Sequence, residues 1–252
     1  MEQLRSFPET RRQSLGILLP ALLGIVILTA GMAAAREGMD APLIVGIGVI
    51  QAFLMWQFPR LTELPHENVA RVCLEIIATG ALAAAAFGTV EDVAVVAALA
   101  VPLIFLGEMF RPGGRENLLR QVSGTYAGGI IAIMGSLWYL IVGMNGASFG
   151  LVCTGAIAGA ILVSLLLVGR ARLMGVPLGA LLGAFVTRLF VPDVAWWPLF
   201  VLAICMGVVS WGVDQLGRAV GLRESGGVRA AFGLIPVSAM GVVGYALALI
   251  VL

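Results

Sequence analysis

Polar positions are sparse along this chain and come in short groups between long apolar runs. The runs fall near 15–35, 42–58, 71–88, 93–110, 122–143, 149–169, 176–191, 198–216 and 231–252. A helix of about 20 such residues spans the roughly 30 Å hydrocarbon core of a bilayer. The runs are continuously apolar, whereas the strands of a membrane barrel alternate in period two over about ten residues. Helices are therefore expected, because in lipid only a helix or a closed barrel satisfies its own backbone. The pattern predicts an all-α polytopic membrane bundle of about nine transmembrane helices. It forms one transmembrane domain over 1–252, which opens with a short polar segment at 1–14. The intervening groups of roughly 5 to 13 residues are too short for a folded extramembrane domain.

Composition agrees with that reading and charge extends it. Hydrophobic residues make up 60% of the chain and charged residues only 12%, and the mean hydropathy is +1.05. All 15 basic residues are arginine. Arg5, Arg11 and Arg12 precede the first run; Arg60 and Arg71 flank the group after the second; Arg111, Arg115 and Arg120 follow the fourth; Arg170 and Arg172 follow the sixth; Arg218, Arg223 and Arg229 follow the eighth. Alternating spans place all of these on one side. The other side receives Arg36 and Arg188 with the acids Glu37, Asp40, Glu91, Asp92 and Asp193. The excess of arginine marks the cytoplasmic face, which predicts a cytoplasmic N-terminus, a cytoplasmic 1–14 segment and an external C-terminus. The net charge of +1 conceals this asymmetry and gives no reason to expect nucleic acid. The absence of lysine beside abundant Ala, Gly, Val and Arg matches the codon bias of a high-GC bacterial genome, so the expected location is a bacterial inner membrane, multi-pass.

The first run, after Arg11 and Arg12, reads as a retained anchor rather than a cleaved signal sequence, with Ala33, Ala34 and Ala35 the one stretch resembling a cleavage site. Cys73, Cys153 and Cys205 fall inside runs without metal-ligand spacing and read as small core residues. Trp56, Trp196 and Trp197 stand at run ends, where indoles anchor at the interface. Small residues at Gly155 to Ala160, Gly128-Gly129 and Gly179…Gly183 allow close helix approach. The Gly179…Gly183 spacing fits a contact within one subunit or a homodimer seam.

Ionisable residues inside the runs are candidate functional groups, because each is costly at membrane depth unless paired or hydrated. Glu75, Glu108 and Asp214 lie at similar shallow depth on the cytoplasmic side. They either line a hydrated vestibule or pair along their own helices with Arg71, Arg111 and Arg218. Arg188, near the external end of the seventh run, either snorkels to the interface or pairs with Asp193. Arg115, Arg120, Arg218, Arg223 and Arg229 are candidates for binding phosphate or anionic lipid headgroups through forked hydrogen bonds. No phosphate-binding loop, His-Glu-x-x-His motif or nucleophile elbow occurs, and the single histidine, His66, sits between Glu63 and Glu67 as a solvated loop residue.

Within 163–229, the segment Val168-Gly169-Arg170-Ala171-Arg172-Leu173-Met174-Gly175-Val176-Pro177, followed by Gly183, resembles the CDP-diacylglycerol synthases (phosphatidate cytidylyltransferases). Pro177 and Gly183 keep the offset of that family's Ser-Pro-Lys-Lys-Thr-Trp-Glu-Gly element. Gly212-Val213-Asp214-Gln215-Leu216 and Gly221-Leu222-Arg223-Glu224-Ser225-Gly226 are similar to its Gly-Asp-Leu and Gly-Val-Lys-Asp-x-Gly elements. The resemblance implies a nine-span fold and a cytoplasmic site where magnesium assists transfer of a cytidylyl group from CTP to phosphatidate. Asp214 carries over as a metal ligand, with Glu224 a stand-in for a second acid. The departures bear on mechanism: Leu178, Gly179, Ala180, Leu181 and Leu182 replace the Lys-Lys-Thr-Trp-Glu run, and the family's histidine and aspartate cluster gives way to apolar sequence from Ala230. The resemblance thus implies a catalytically degenerate relative without a cofactor, serving as a lipid-binding or accessory subunit beside a partner membrane protein or a second copy. Two alternatives stand beside it: an active phosphatidate cytidylyltransferase with an altered, magnesium-dependent site, and a small transporter or flippase-like protein using Glu75, Glu108 or Arg188.

Overall fold

The computed structural model describes the backbone of residues 7–110, 117–167, 170–220 and 226–252, and their side chains except at 7–15, 165–166, 170–174, 210 and 213–220. The described residues form helices only: α1 (Phe7–Arg36), α2 (Ala41–Leu61), α3 (Glu67–Phe87), α4 (Val90–Met109), α5 (Leu118–Gly143), α6 (Ala147–Leu166), α7 (Arg170–Phe190), α8 (Trp197–Val220) and α9 (Gly226–Val251). Seven of them, α1 to α6 and α9, are long and apolar enough to cross a membrane, while the described apolar stretches of α7 and α8, Gly175–Phe190 and Trp197–Val209, are shorter. The protein is an all-helical bundle suited to a membrane.

Helix ends depart from the sequence expectation in one direction. Arg60, Arg71, Arg120, Arg170, Arg172, Arg218 and Arg229 lie within helices rather than in the loops between them. A helix does not stop where its apolar stretch stops. Its backbone hydrogen bonds remain satisfied in the interfacial layer, and long arginine side chains reach on to water.

α1 is central and packs on α2, α6 and α9; α5 bridges α3, α4 and α9. Small residues set these approaches. A methyl at Gly31 would stand 2.8 Å from the Leu43 backbone, and one at Gly128 would stand 2.7 Å from Phe58 and 2.8 Å from Leu74. The closest pairing is α6 with α7, where a Cβ on Gly159 would fall 2.8 Å from Gly183 Cα and one on Gly155 2.8 Å from Thr187 Cβ. Gly179 and Gly183 therefore face α6 of the same chain, and that seam is filled internally.

α4 lies at the margin, mainly against α3 and α5, and just 17% of its span is buried. Its start is capped: Thr89 N–H donates to Asp92 Oδ2 at 2.7 Å. Asp92, one of the acids on that side, is thereby a helix cap.

An arginine-bearing end of the bundle as candidate functional site

Five helices meet near the turn between α2 and α3. Thr62 Oγ1 donates to Phe58 O at 2.9 Å and closes α2, after which Glu63 adopts a left-handed φ of 51°. Gln121, fully buried on α5, grips the next residues: its Nε2 donates to His66 O at 3.0 Å and its Oε1 accepts from His66 N–H at 3.1 Å. The carboxamide thus satisfies both backbone groups of His66, as a neighbouring strand would. α9 joins the same end, since a Cβ on Gly227 would stand 2.9 Å from Gln57 Nε2. α1 joins too, with Gly16 beside the Arg229 stem.

This meeting point gathers arginines. Arg71 is 9% exposed and fully engaged: Nη2 pairs with Glu67 Oε2 at 2.5 Å, Nη1 donates to Asn68 Oδ1 at 3.3 Å, and Nε donates to Trp56 O at 3.0 Å. Its guanidinium also lies 4.9 Å from the Trp56 ring centroid, within cation–π range. Arg60 Nε shares Glu67 Oε2 at 3.1 Å. The expected pairing of Arg71 with Glu75 is replaced by Glu67. An acid one turn N-terminal to its cation is the better arrangement on a helix, and Glu67 also lies nearer water. Arg120 is looser: its side chain is 57% exposed and its Nη2 is 3.8 Å from Glu63 Oε2. Arg229 is half-buried at the start of α9.

The other sequence candidates separate. Glu75 is half-buried on α3 and Glu108 on α4, and these helices touch where Cys73 Sγ meets Gly107. α8, which carries Asp214, packs on α6, α7 and α9, on a different flank from α3 and α4. A vestibule shared by all three acids needs helices that are not neighbours. The side chain of Asp214, its expected partner Arg218, and residues Arg111, Arg115, Arg223 and Glu224 lie outside the described residues. Arg188 does not pair with Asp193. Its Nε donates to Val194 O at 2.7 Å, and its guanidinium sits 3.8 Å from the Trp196 ring centroid, with Phe185 5.6 Å beyond the same ring.

A polar group missed in the sequence lies midway along the core. Gln51, 2% exposed, donates from Nε2 to Ala132 O at 2.8 Å and to Ser136 Oγ at 2.9 Å. Trp138 Nε1 donates to Val237 O at 3.0 Å just after Pro236. A lone glutamine at mid-run was the available signal, because a buried amide must find partners on other helices.

The cytidylyl-transfer resemblance implies magnesium, which asks for a near-octahedral set of oxygen ligands. Asp214 and Glu224 are the two residues that carry over, and among the described residues no three His, Cys, Asp or Glu side chains come together. Comparison with models of protein families, with curated proteins and with solved structures finds no match. Fold and site together define a multi-helix membrane protein with an arginine-bearing end.

Proposed function

We propose that the protein is a lipid-binding or accessory subunit of a membrane assembly, built on a frame related to the CDP-diacylglycerol synthases and lacking their reaction. The observation that carries this reading is the contrast between two arginines at one end of the bundle. Arg71 has all three guanidinium nitrogens bonded to the protein, whereas Arg120 has a side chain 57% exposed and holds Glu63 only at 3.8 Å. A loosely held guanidinium presents a fork that matches a phosphate. At this depth the available phosphates belong to lipid headgroups. Arg229 extends the same rim, and the arginine distribution turns it toward the anionic cytoplasmic leaflet of a bacterial inner membrane.

The test is lipid retention by the purified protein in nanodiscs, read by native mass spectrometry. Anionic lipid is retained over phosphatidylcholine, and Arg120→Gln with Arg229→Gln lowers that retention; equal retention in the double variant removes the site. In parallel, CTP, magnesium and phosphatidic acid yield no CDP-diacylglycerol. Product that disappears in Asp214→Asn would replace this reading with the enzyme. Gentle extraction brings a partner in fixed stoichiometry, and a clean monomer counts against the accessory role.

A further inference from the structure

Five hydroxyls are buried among the described residues. Four of them donate to a carbonyl three or four residues back on their own helix: Thr125 to Gln121, Ser136 to Ala132, Thr154 to Leu151 and Ser164 to Ile161. That is the usual way a helix disposes of a buried hydroxyl. Ser238 is the exception. It is 2% exposed and its Oγ has no hydrogen-bond partner among the described residues.

Ser238 lines a small cavity between α1, α2, α5 and α9, with Gln51 and Gly135 opposite and Leu28 and Ile47 as apolar wall. The space open to the centre of a water molecule is about 10 Å³, which admits one water and nothing larger. Gly135 creates the room: a methyl there would stand 3.2 Å from Gln51 Nε2 and 3.5 Å from Ser238 Oγ. Both hydrogens of Gln51 Nε2 are spent, on Ala132 O and Ser136 Oγ, so the carboxamide keeps its oxygen as an acceptor.

We propose that this cavity binds a single water molecule, held between Ser238 Oγ and the Gln51 carboxamide, which ties α9 to α2 midway along both helices. The location has a local cause. Pro236 has no N–H to give the carbonyl four residues back, so the α9 ladder is interrupted just before Ser238. Two lateral polar ties lie just past this proline, the indole of Trp138 on Val237 O being one and the water the other.

The sign of one substitution separates a wet cavity from a dry one. Ser238→Ala in the full chain, purified in detergent, lowers the unfolding midpoint by ~2–4 °C if a bridging water is lost. An unchanged or raised midpoint overturns the proposal, because deleting an orphaned hydroxyl from a dry cavity relieves a penalty. In a Gln51→Leu background the effect of Ser238→Ala shrinks by at least half, and a full effect there also overturns it. Magnetisation transfer from a long-lived water to the Gly135 or Ser238 amide of the unaltered protein, in deuterated detergent, is the readout that needs no variant. Its absence likewise rejects the site.

Discussion

Gln121 holds both backbone polar groups of His66, 55 residues earlier in the chain, with one carboxamide. This side chain joins α5 to the residue that precedes α3 at the arginine-bearing end. Replacing it with leucine of similar bulk removes the partner of the part-buried His66 N–H and leaves His66 O with the Ala70 N–H at 3.3 Å, at a cost of ~1–3 kcal/mol. Gln121→Leu is therefore expected to lower the unfolding midpoint clearly. Gln121→Glu keeps the acceptor for His66 N–H, loses the donor to His66 O, and falls between; a Gln121→Leu protein as stable as the parent would show that the latch carries no load.

Arg188 acts through its geometry as well as its charge. One guanidinium hydrogen bonds Val194 O while the plane covers Trp196. Lysine reproduces neither arrangement. Arg188→Lys and Arg188→Ala should each destabilise by ~1–2 kcal/mol and alter Trp196 emission, whereas Asp193→Asn leaves both unchanged. Sensitivity to Asp193→Asn equal to that of Arg188→Lys would restore an Arg188–Asp193 pair.

The α6–α7 seam tolerates no side chain. Gly159→Ala must push Gly183 Cα away from 2.8 Å, and backbone cannot yield as a flexible side chain would. The folded yield should drop sharply. Gly143→Ala, with nothing within 4 Å of the added carbon, is the matched control and should express normally.

Orientation is accessible to labelling in a background with Cys73, Cys153 and Cys205 replaced by alanine. The arginine asymmetry predicts that a membrane-impermeant thiol reagent reaches Asp92→Cys from outside intact cells and leaves Glu63→Cys untouched. The reverse pattern would invert the bundle and move the arginine-bearing end to the external leaflet.

Helix existence was legible because a bilayer imposes one length and one composition on every span. Rotation was not. Nothing in the sequence tells which face of α7 carries its neighbour, so Gly179 and Gly183 leave a dimer seam open beside the favoured internal contact until α6 is seen filling it. The same blindness offered Arg71 the acid Glu75 as its paired alternative where it takes Glu67, and offered Arg188 either the interface or Asp193 where it uses a carbonyl and a ring. Among the polar residues, charge drew attention to Glu75, Glu108 and Asp214. The uncharged Gln51 and Gln121, whose partners lie more than fifty residues away, organise the described core and the described end. Their neutrality hid them, since an amide alters neither net charge nor loop bias.

The embrace of α1 by α9 imposes an order on biogenesis. Gly24 rests against Leu234, and Gly233 against the Ile17 carbonyl. A ribosome adding 5–20 residues per second needs roughly 10–40 s to travel between those partners. For that interval the earliest helix waits in the membrane with its small-residue groove open to whatever lies alongside, lipid, insertase or chaperone. Synthesis of the final helix is the event that closes it.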